Sequence, residues 1–578
     1  MTMIPAAERF SWNYMGKYEI NDNMRAFAEL NGQNSKSTVR GAGSPSFNEL
    51  FMDGDNINHP FAMMPDHEFH GQDLTMRRRT VDIGNREKRV DSNYYRAIIG
   101  LQGEIKDWNW EAAYSYIKSS STERGVNGFP NSRRTQEAID SGLWNPFEPS
   151  LNSQESLDFI ETTTTRIGKS TMKSLDFKVS GSIMEMSHGD LMVAIGGEYR
   201  EESISDNPDD QFLRGEVFGT EATQANGERD NTAIFAELAI PLLDTLEIQL
   251  AVRHEDYSDF GSTFTSKLAS RYSINESLSL RGAISTGFRA PSLAQTSYKS
   301  VSTVFENGVP NEVGLFPVDE PAAQALGARD LDAEESVNMT AGFIFTQGGF
   351  SLTLDAYRIE IDDRIVLSEN LSGPEVEAIL AEAGEVNTQR VRYFTNAIDS
   401  RTQGVDIVAT YSLGLENYGD LRLSAAVNFN DTEVTHVKEN PAELEALGDS
   451  YEYFSRREIT RFEKGTPADK WNLSATWDYE NFQTTLRATR YGEVVDTASS
   501  EDGDEVLDAK WIADLEVAYR PDEQWKFALG ANNLFDQYPQ DTVSNIGYSD
   551  FNQIFPYSGF APYSLDGRFI YGNITYSF

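Results

Sequence analysis

The last segment of the chain has the side-chain pattern of a membrane-spanning β-strand. From residue 570 to the C-terminus, lipid-compatible residues occupy every second position and polar residues lie between them. Because successive side chains of a strand point to opposite faces, this segment has one apolar face and one polar face. The alternation predicts a strand that separates lipid from water. The apolar positions are Ile570, Gly572, Ile574, Tyr576 and Phe578, and the polar ones are Asn573, Thr575 and Ser577.

The same alternation recurs along the chain, for example over residues 246–252, 278–288 and 421–429. A single alternating strand is typical of any half-solvated sheet, but its repetition over the whole chain is a much stronger signal. No stretch approaches the roughly 18 consecutive apolar residues that a membrane helix needs. The pattern therefore predicts an all-β fold.

The connections between these strands alternate between short and long. The short ones, at residues 21–23, 106–107, 187–190, 275–276, 347–349 and 521–523, consist of hairpin-turn residues. The long ones cover about 34–88, 119–170, 204–227, 289–332, 363–391, 433–466, 494–507 and 532–562. Residues 258–262 form one short connection on the long-loop side. This alternation is typical of outer-membrane barrels and predicts a large transmembrane antiparallel β-barrel with roughly nineteen strands in this chain.

Composition excludes one class of partner. The chain has 578 residues, no cysteine and a formal net charge of −42. Nucleic-acid binding needs a basic surface, so we expect no nucleic-acid partner. Residues 1–10 carry neither the basic nor the apolar segment of a signal peptide. Because an outer-membrane protein must be exported, we expect either a mature sequence or part of a longer one.

Three motifs in a fixed order sharpen the class. Gly287, Phe288, Arg289, Ala290, Pro291 and Ser292 close an upward strand, and Asn533, Leu534, Phe535 and Asp536 follow the penultimate strand. Asn396 and Gly404 frame a strand that continues through Val405, Asp406 and Ile407. With the terminal Tyr576 and Phe578, the order and spacing of these motifs resemble the C-terminal half of TonB-dependent outer-membrane receptors, and the resemblance spans nearly the whole chain.

The resemblance implies a barrel of about 22 strands whose lumen is filled by an N-terminal plug. It implies energised uptake of a scarce large solute, such as a ferric siderophore, cobalamin or an oligosaccharide, with Tyr576 and Phe578 as the assembly signal. We expect residues 1–578 to be the barrel portion, with the plug and the first strands absent. The implied partners are outer-membrane lipid, the barrel assembly machinery, a solute at the extracellular loops, and the TonB complex through a missing N-terminal segment.

Several residues are candidates for binding. His59, His67 and His70 in the first long loop are weak candidates for a metal or ferric chelate, and the favoured alternative is a solvated loop that happens to contain three of the six histidines. Acidic runs near 206–210, 375–385 and 501–505 favour either solubility or a negative rim. Arg253, Arg281, Arg422, Glu247 and Glu255 are predicted to face the lumen. Aromatic loop residues suited to stacking on a solute are Phe51, Phe61, Phe69, Trp144, Phe147, Phe316, Tyr451, Tyr453, Phe454, Phe551 and Phe555.

Two further expectations concern local structure and chemistry. Residues 371–383 are predicted to form a short loop helix with Ser372 as its cap and Pro374 in the first turn. No catalytic motif is present, so we predict neither enzymatic activity nor a cofactor. The alternatives to energised uptake are a passive porin-like channel and, from a third class, a soluble β-rich binding protein.

Overall fold

The computed structural model describes residues 5–46, 50–218, 222–306, 309–385, 388–448, 451–498, 500–541 and 557–578. Within them, nineteen long strands form one sheet in which each strand pairs antiparallel with the next along the chain. The predicted number of strands is therefore confirmed. The strands are β1 (Ala6–Asn21), β2 (Met24–Arg40), β3 (Glu87–Ile105), β4 (Trp108–Pro130), β5 (Glu161–Met186), β6 (Gly189–Pro208), β7 (Ala222–Leu243), β8 (Leu246–Tyr257), β9 (Gly261–Ser273), β10 (Leu278–Arg289), β11 (Glu334–Gln347), β12 (Phe350–Leu367), β13 (Phe394–Gly414), β14 (Asp420–Val437), β15 (Asp469–Tyr479), β16 (Phe482–Tyr491), β17 (Lys510–Tyr519), β18 (Trp525–Asn532) and β19 (Phe569–Tyr576).

The short connections are tight turns, as their sequences predict. Between β1 and β2, the backbone N–H of Asn23 donates to the side-chain oxygen of Asn21 over 3.0 Å. Between β3 and β4, Lys106 adopts a positive φ of 57°. Asparagine and aspartate make such local bonds readily, which explains their use at these turns. At the other end of the strands, where the long loops lie, the predicted short connection after β8 is also confirmed, since β9 begins at Gly261.

The first long loops are shorter than predicted because their flanking strands continue further. β4 extends to Pro130 and β5 begins at Glu161, so the loop covers 131–160 rather than 119–170. The added segments are rich in serine and threonine on both faces, and they pair with each other, as in Ser120 with Lys169. Where both faces meet water, alternation is lost although backbone pairing continues.

The long loops carry the helices and several short hairpins. The helix over 374–382 begins at Pro374 as predicted, but its N-cap is Gly373, because Ser372 belongs to a short strand. The helices are α1 (Ser132–Asp140), α2 (Gln154–Ile160), α3 (Asp210–Leu213), α4 (Leu293–Ser297), α5 (Pro321–Ala325), α6 (Pro374–Glu382), α7 (Ala442–Glu445) and α8 (Arg456–Lys464). The short strands are Ser44–Pro45, Leu50–Met52, Leu74–Met76, Arg79–Thr80, Lys299–Glu306, Val309–Leu315, Leu371–Ser372, Arg390–Arg392, Val494–Asp496 and Glu505–Leu507. Across the part of the chain described, no helix has both the length and the apolarity to cross a membrane.

Two apolar cores lie mainly in the long loops, and the second also includes Ile365, Ala397 and Ile398 at the ends of β12 and β13. The first cap is formed by the loops 41–86, 131–160 and 209–218, and it buries Leu50, Met52, Ile139, Trp144 and Ile160. The second cap is formed by the loops 290–333, 368–393 and 438–468, and it buries Phe316, Leu380, Tyr393, Leu444 and Tyr453 among others. The long loops therefore fold as packed structures at one end of the strands.

The first and last strands are the two edges of the sheet. Among the described strands, β1 pairs only with β2, and β19 pairs only with β18. β1 is exposed along almost its whole length, and Phe10, Tyr14 and Tyr18 project from it. Because nineteen is an odd number and all neighbours are antiparallel, β1 and β19 run in the same direction.

Candidate functional site

The first motif lies where β10 enters the second cap. Arg289 pairs with Glu334 at the start of β11, with Nε at 2.7 Å from Oε2. Glu334 is buried, and its Oε1 also accepts the backbone N–H of Ile365 over 2.7 Å. One carboxylate thus joins β10, β11 and β12, which requires an acidic residue opposite Arg289.

In the rest of that motif, the chain leaves the sheet at the end of β10 and enters α4. Ser292 caps α4 through a capping box with Gln295, and the carbonyl oxygen of Pro291 accepts from Arg229 of β7 over 2.7 Å. Phe288 lies with its ring centroid 6.0 Å from that of Tyr257. A Cβ atom at Gly287 would lie only 2.8 Å from Oγ of Ser336, so the position favours glycine. Ala290 links Arg289 to Pro291. These contacts indicate an architectural role for the motif.

The second motif is the turn that follows β18. Asn533 has a φ of 50° and Asp536 a φ of 59°. The side chain of Asn533 donates to the carbonyl oxygen of Gln537 over 2.6 Å and accepts its N–H over 2.8 Å. Asp536 accepts the N–H of Arg568, immediately before β19. Leu534 bonds through its backbone to Ala513, whereas Phe535 is exposed. The motif therefore connects β18 to the start of the last strand.

The terminal aromatic residues lie at the turn end of the last strand. The ring of Tyr576 is 4.7 Å from that of Trp525 and 5.1 Å from that of Phe578. Phe578 is fully exposed. Asn396 and Gly404 both lie in β13, where Asn396 donates to the carbonyl oxygens of Asp332 and Asp363.

Each of the predicted lumen-facing charges contacts a polar or charged side chain of its own strand or of a strand one or two places away. Arg253 reaches Glu198 at 3.2 Å and Glu255 at 2.5 Å. Arg281 pairs with Asp355 at 2.7 Å, Arg422 with Asp478 at 3.0 Å, and Glu247 accepts from Gln249. All these side chains lie on one face of the sheet, opposite the exposed aliphatic residues. The polar face of the wall is thus a paired charge network.

A basic and aromatic cluster lies at the loop ends of β12 and β13 and consists of Arg364, Phe462, Arg461 and Phe560. The sequence analysis did not predict it. Nη1 of Arg364 donates to Ser400 over 3.1 Å, and the guanidinium lies 4.4 Å from the ring centroid of Phe462. Neighbouring Arg461 lies 5.6 Å from the ring of Phe560. In the described part of the chain, no carboxylate lies within ion-pair distance of Arg364. The available signal was α8, a segment with four basic residues in an otherwise acidic chain.

The three candidate histidines lie in one loop, but their ring nitrogens bond to the backbone. His59 Nε2 lies 3.0 Å from the carbonyl oxygen of Gln72, and His59 Nδ1 accepts the N–H of Phe61. His67 Nδ1 accepts the N–H of Phe69, and His70 Nδ1 contacts the carbonyl oxygen of Phe61. Within the described ranges, no group of three or more His, Cys, Asp or Glu is arranged to hold a metal.

The candidate aromatic loop residues differ in how deeply they are buried. Trp144, Phe316, Tyr453 and Phe454 are buried in the two caps, so their interpretation as ligand-stacking residues is wrong. Their rings stabilise loop cores, and burial raises the pKa of the Tyr453 hydroxyl. Phe51, Phe69 and Phe147 are exposed, Phe61 and Tyr451 are partly exposed, and Phe551 and Phe555 lie outside the described residues.

A buried carboxylate in an outer hairpin gives a pH-dependent prediction. Asp496 accepts from Ser558 over 2.6 Å, and its second oxygen has no hydrogen-bond partner among the described residues. Burial raises the pKa of Asp496.

This raised pKa makes the stability of the hairpin depend on pH. The folded hairpin binds the proton of Asp496 more tightly than the unfolded chain does, so the stability of the hairpin falls as pH rises from the unfolded pKa through the folded one. We expect Asp496→Asn to stabilise the hairpin at neutral pH and to flatten this dependence, measured by hydrogen exchange of 494–507 between pH 4 and 7. An unchanged pH profile would contradict this.

Comparison with known proteins agrees with this architecture. The TonB-dependent receptor-like β-barrel family matches residues 11–534. The ferric enterobactin receptor PirA of Pseudomonas aeruginosa is 22% identical over 276 residues, 46% of this chain and 34% of that protein. The probable TonB-dependent siderophore receptor PirA of Acinetobacter baumannii is 20% identical over 499 residues, 82% of this chain and 57% of that protein. The chain thus spans between a third and three fifths of the length of these relatives.

Solved structures show the same fold. A variant of the ferric enterobactin receptor PfeA from Pseudomonas aeruginosa superposes with a TM-score of 0.60 at 15% identity, covering 99% of this chain and 70% of that one. The siderophore receptor PirA from Acinetobacter baumannii gives 0.59 at 14% identity, covering 99% and 71%. The chain belongs to the TonB-dependent receptor-like β-barrel family and is a β-barrel protein of the Gram-negative outer membrane.

Proposed function

We propose that this chain is the barrel portion of a receptor that takes up a ferric siderophore with energy from the TonB system. Support comes from the family and from relatives named as siderophore receptors. None of those relatives is named as a passive channel or an enzyme, and we propose neither activity here.

The observation that carries the proposal is the environment of Arg364. By strand alternation, Ser400 lies on the same face as Asp406 and its cross-strand neighbour Asp355, which pairs with Arg281. The guanidinium of Arg364 is therefore on the polar face, near the loop end of the strands. A cation that donates to a neutral hydroxyl and lies beside an aromatic ring suits an anionic, aromatic iron chelate, because charge and stacking then act together. The iron is cargo of that chelate.

This assignment is tested by binding of ferric enterobactin, a ferric tris-catecholate, to the purified chain in detergent. We expect quenching of tryptophan fluorescence on binding, and an affinity roughly tenfold lower in Arg364→Ala, because a charge-assisted contact is lost. Arg520→Ala is the matched control, since Arg520 lies at a short turn on the opposite side of the sheet. Absence of binding, or equal affinity in both variants, would contradict the assignment.

We further propose that additional strands and a plug complete the barrel. Because β1 and β19 run in the same direction, antiparallel closure needs an odd number of added strands, and three would give the about 22 strands of plugged transporters. Unpaired strand edges in hydrocarbon are very costly, so both edges require a partner. A plug would contact the paired charges of the polar face and connect to TonB.

Intact mass of the protein extracted from its native outer membrane tests this second proposal. We expect a species well above 64.7 kDa, the mass of the present chain. A species of 64.7 kDa would overturn the proposal of a plug and added strands, and with it the energised step. Ligand binding at Arg364 would remain testable on its own.

A further inference from the structure

The tip of the first long loop, residues 53–73, exposes apolar side chains to water. Met63 is 92% exposed and Ile57 is 83% exposed, and Met64 and Phe69 are also exposed. Several large apolar side chains on a water-exposed surface mark an interaction site more often than a single exposed apolar side chain does. Methionine adapts its shape to different apolar partners, so this group suits a binding surface.

Backbone turns and ring contacts fold the tip onto itself, and one side chain joins it to the first cap. Its ring pairs are close, with 4.0 Å between the centroids of Phe61 and His67 and 5.7 Å between those of Phe61 and Phe69. The side chain of Asn56 donates to the carbonyl oxygen of Ile139 over 2.7 Å, which fastens the tip to the first cap. Successive turns bond Asn56 to Asp53, His59 to Asn56, Ala62 to His59, Met64 to Phe61, His67 to Met64 and His70 to His67.

The same segment is strongly acidic. It contains five exposed carboxylates and no lysine or arginine: Asp53, Asp55, Asp66, Glu68 and Asp73. In the described part of the chain, none of the five forms an ion pair. The charges of Asp55 and Asp73 raise the pKa of Asp53, as expected where like charges are close.

We propose that the tip 53–73 is a docking surface for a cationic amphipathic polypeptide segment. The exposed methionines and Phe69 would contact its apolar face, and the carboxylates would attract its lysine and arginine side chains. The carboxylates would repel an anionic partner, and a purely polar partner would leave the methionines and Phe69 exposed. This surface is distinct from the Arg364 cluster, so the proposal does not depend on the siderophore assignment.

The test measures binding of a fluorescent amphipathic helix of leucine and lysine to the full chain in zwitterionic-lipid nanodiscs, with empty nanodiscs as the blank. We expect saturable binding that weakens with salt. Met63→Ser with Met64→Ser, and separately Asp66→Asn with Glu68→Gln, should each weaken binding roughly tenfold, as for central interface residues.

Two controls separate a specific surface from general attraction. Glu377→Gln with Glu382→Gln removes two exposed charges from α6, and Val506→Ser removes an exposed apolar side chain from another outer hairpin. Both should bind the peptide like the parent protein. Equal loss in these controls, loss in the charge variant alone, or no loss at the tip would overturn the proposal. Conversion of a dimer to a monomer by the methionine substitutions would also overturn it, since a second copy would then cover the tip.

Discussion

Replacing Trp144 by alanine should open the first cap, with a loss of local stability of about 3–5 kcal/mol, as for other buried tryptophans. Trp144 is fully buried, and its indole N–H donates to Asp82 over 2.7 Å. The guanidinium of Arg78 lies 4.7 Å from the ring centroid and pairs with Asp82 at 2.9 Å. Loss of the ring removes apolar contacts, a hydrogen bond and a cation–π contact together.

The measurement is hydrogen exchange of the peptides that cover α1 and α2, in detergent at neutral pH. Trp144→Phe should cost less, about 1–3 kcal/mol, because the ring volume is largely kept and mainly the bond to Asp82 is lost. Phe147→Ala is the control, since Phe147 is exposed in the same loop. Unchanged exchange in Trp144→Ala would show that the loops do not share a core.

The strands were predictable because lipid imposes a rule on sequence. A wall between lipid and water needs alternating apolar and polar side chains, and hairpin turns need a few residue types. The last strand around Ile574 and the turn at Asn21 follow both rules, and the structure confirms them. Prediction failed where the rule ends, above the membrane, since β4 and β5 continue there with polar residues on both faces.

The caps were not predictable for a different reason. Their cores combine residues from several loops, so burial depends on contacts between segments far apart in sequence. Trp144 and Tyr453 therefore looked like exposed binding residues but are buried. Arg364 was not predicted as a binding residue, because its binding environment includes the ring of Phe462, which is nearly one hundred residues away in the chain. Charge alternation did identify Arg253 and Arg281 correctly, because the wall dictates which face they occupy.

Replacing Glu334 by alanine should destabilise the junction of β10, β11 and β12 by about 2–3 kcal/mol. Glu334 is buried, and it satisfies both Arg289 and the buried backbone N–H of Ile365. Half of the Arg289 side chain is exposed, so water can solvate much of its charge, and the unpaired N–H of Ile365 should account for most of the loss.

Urea unfolding in detergent, followed by tryptophan fluorescence, measures this loss. Glu335→Ala is the matched control, because Glu335 is exposed on the opposite face of the same strand. Arg289→Ala separates the two contacts. It removes the ion pair but keeps the bond to Ile365, so we expect a smaller loss than in Glu334→Ala. Equal losses would mean that the ion pair carries the stability, and the Gly287–Ser292 motif would then act chiefly through Arg289 rather than through the strand junction that Glu334 holds.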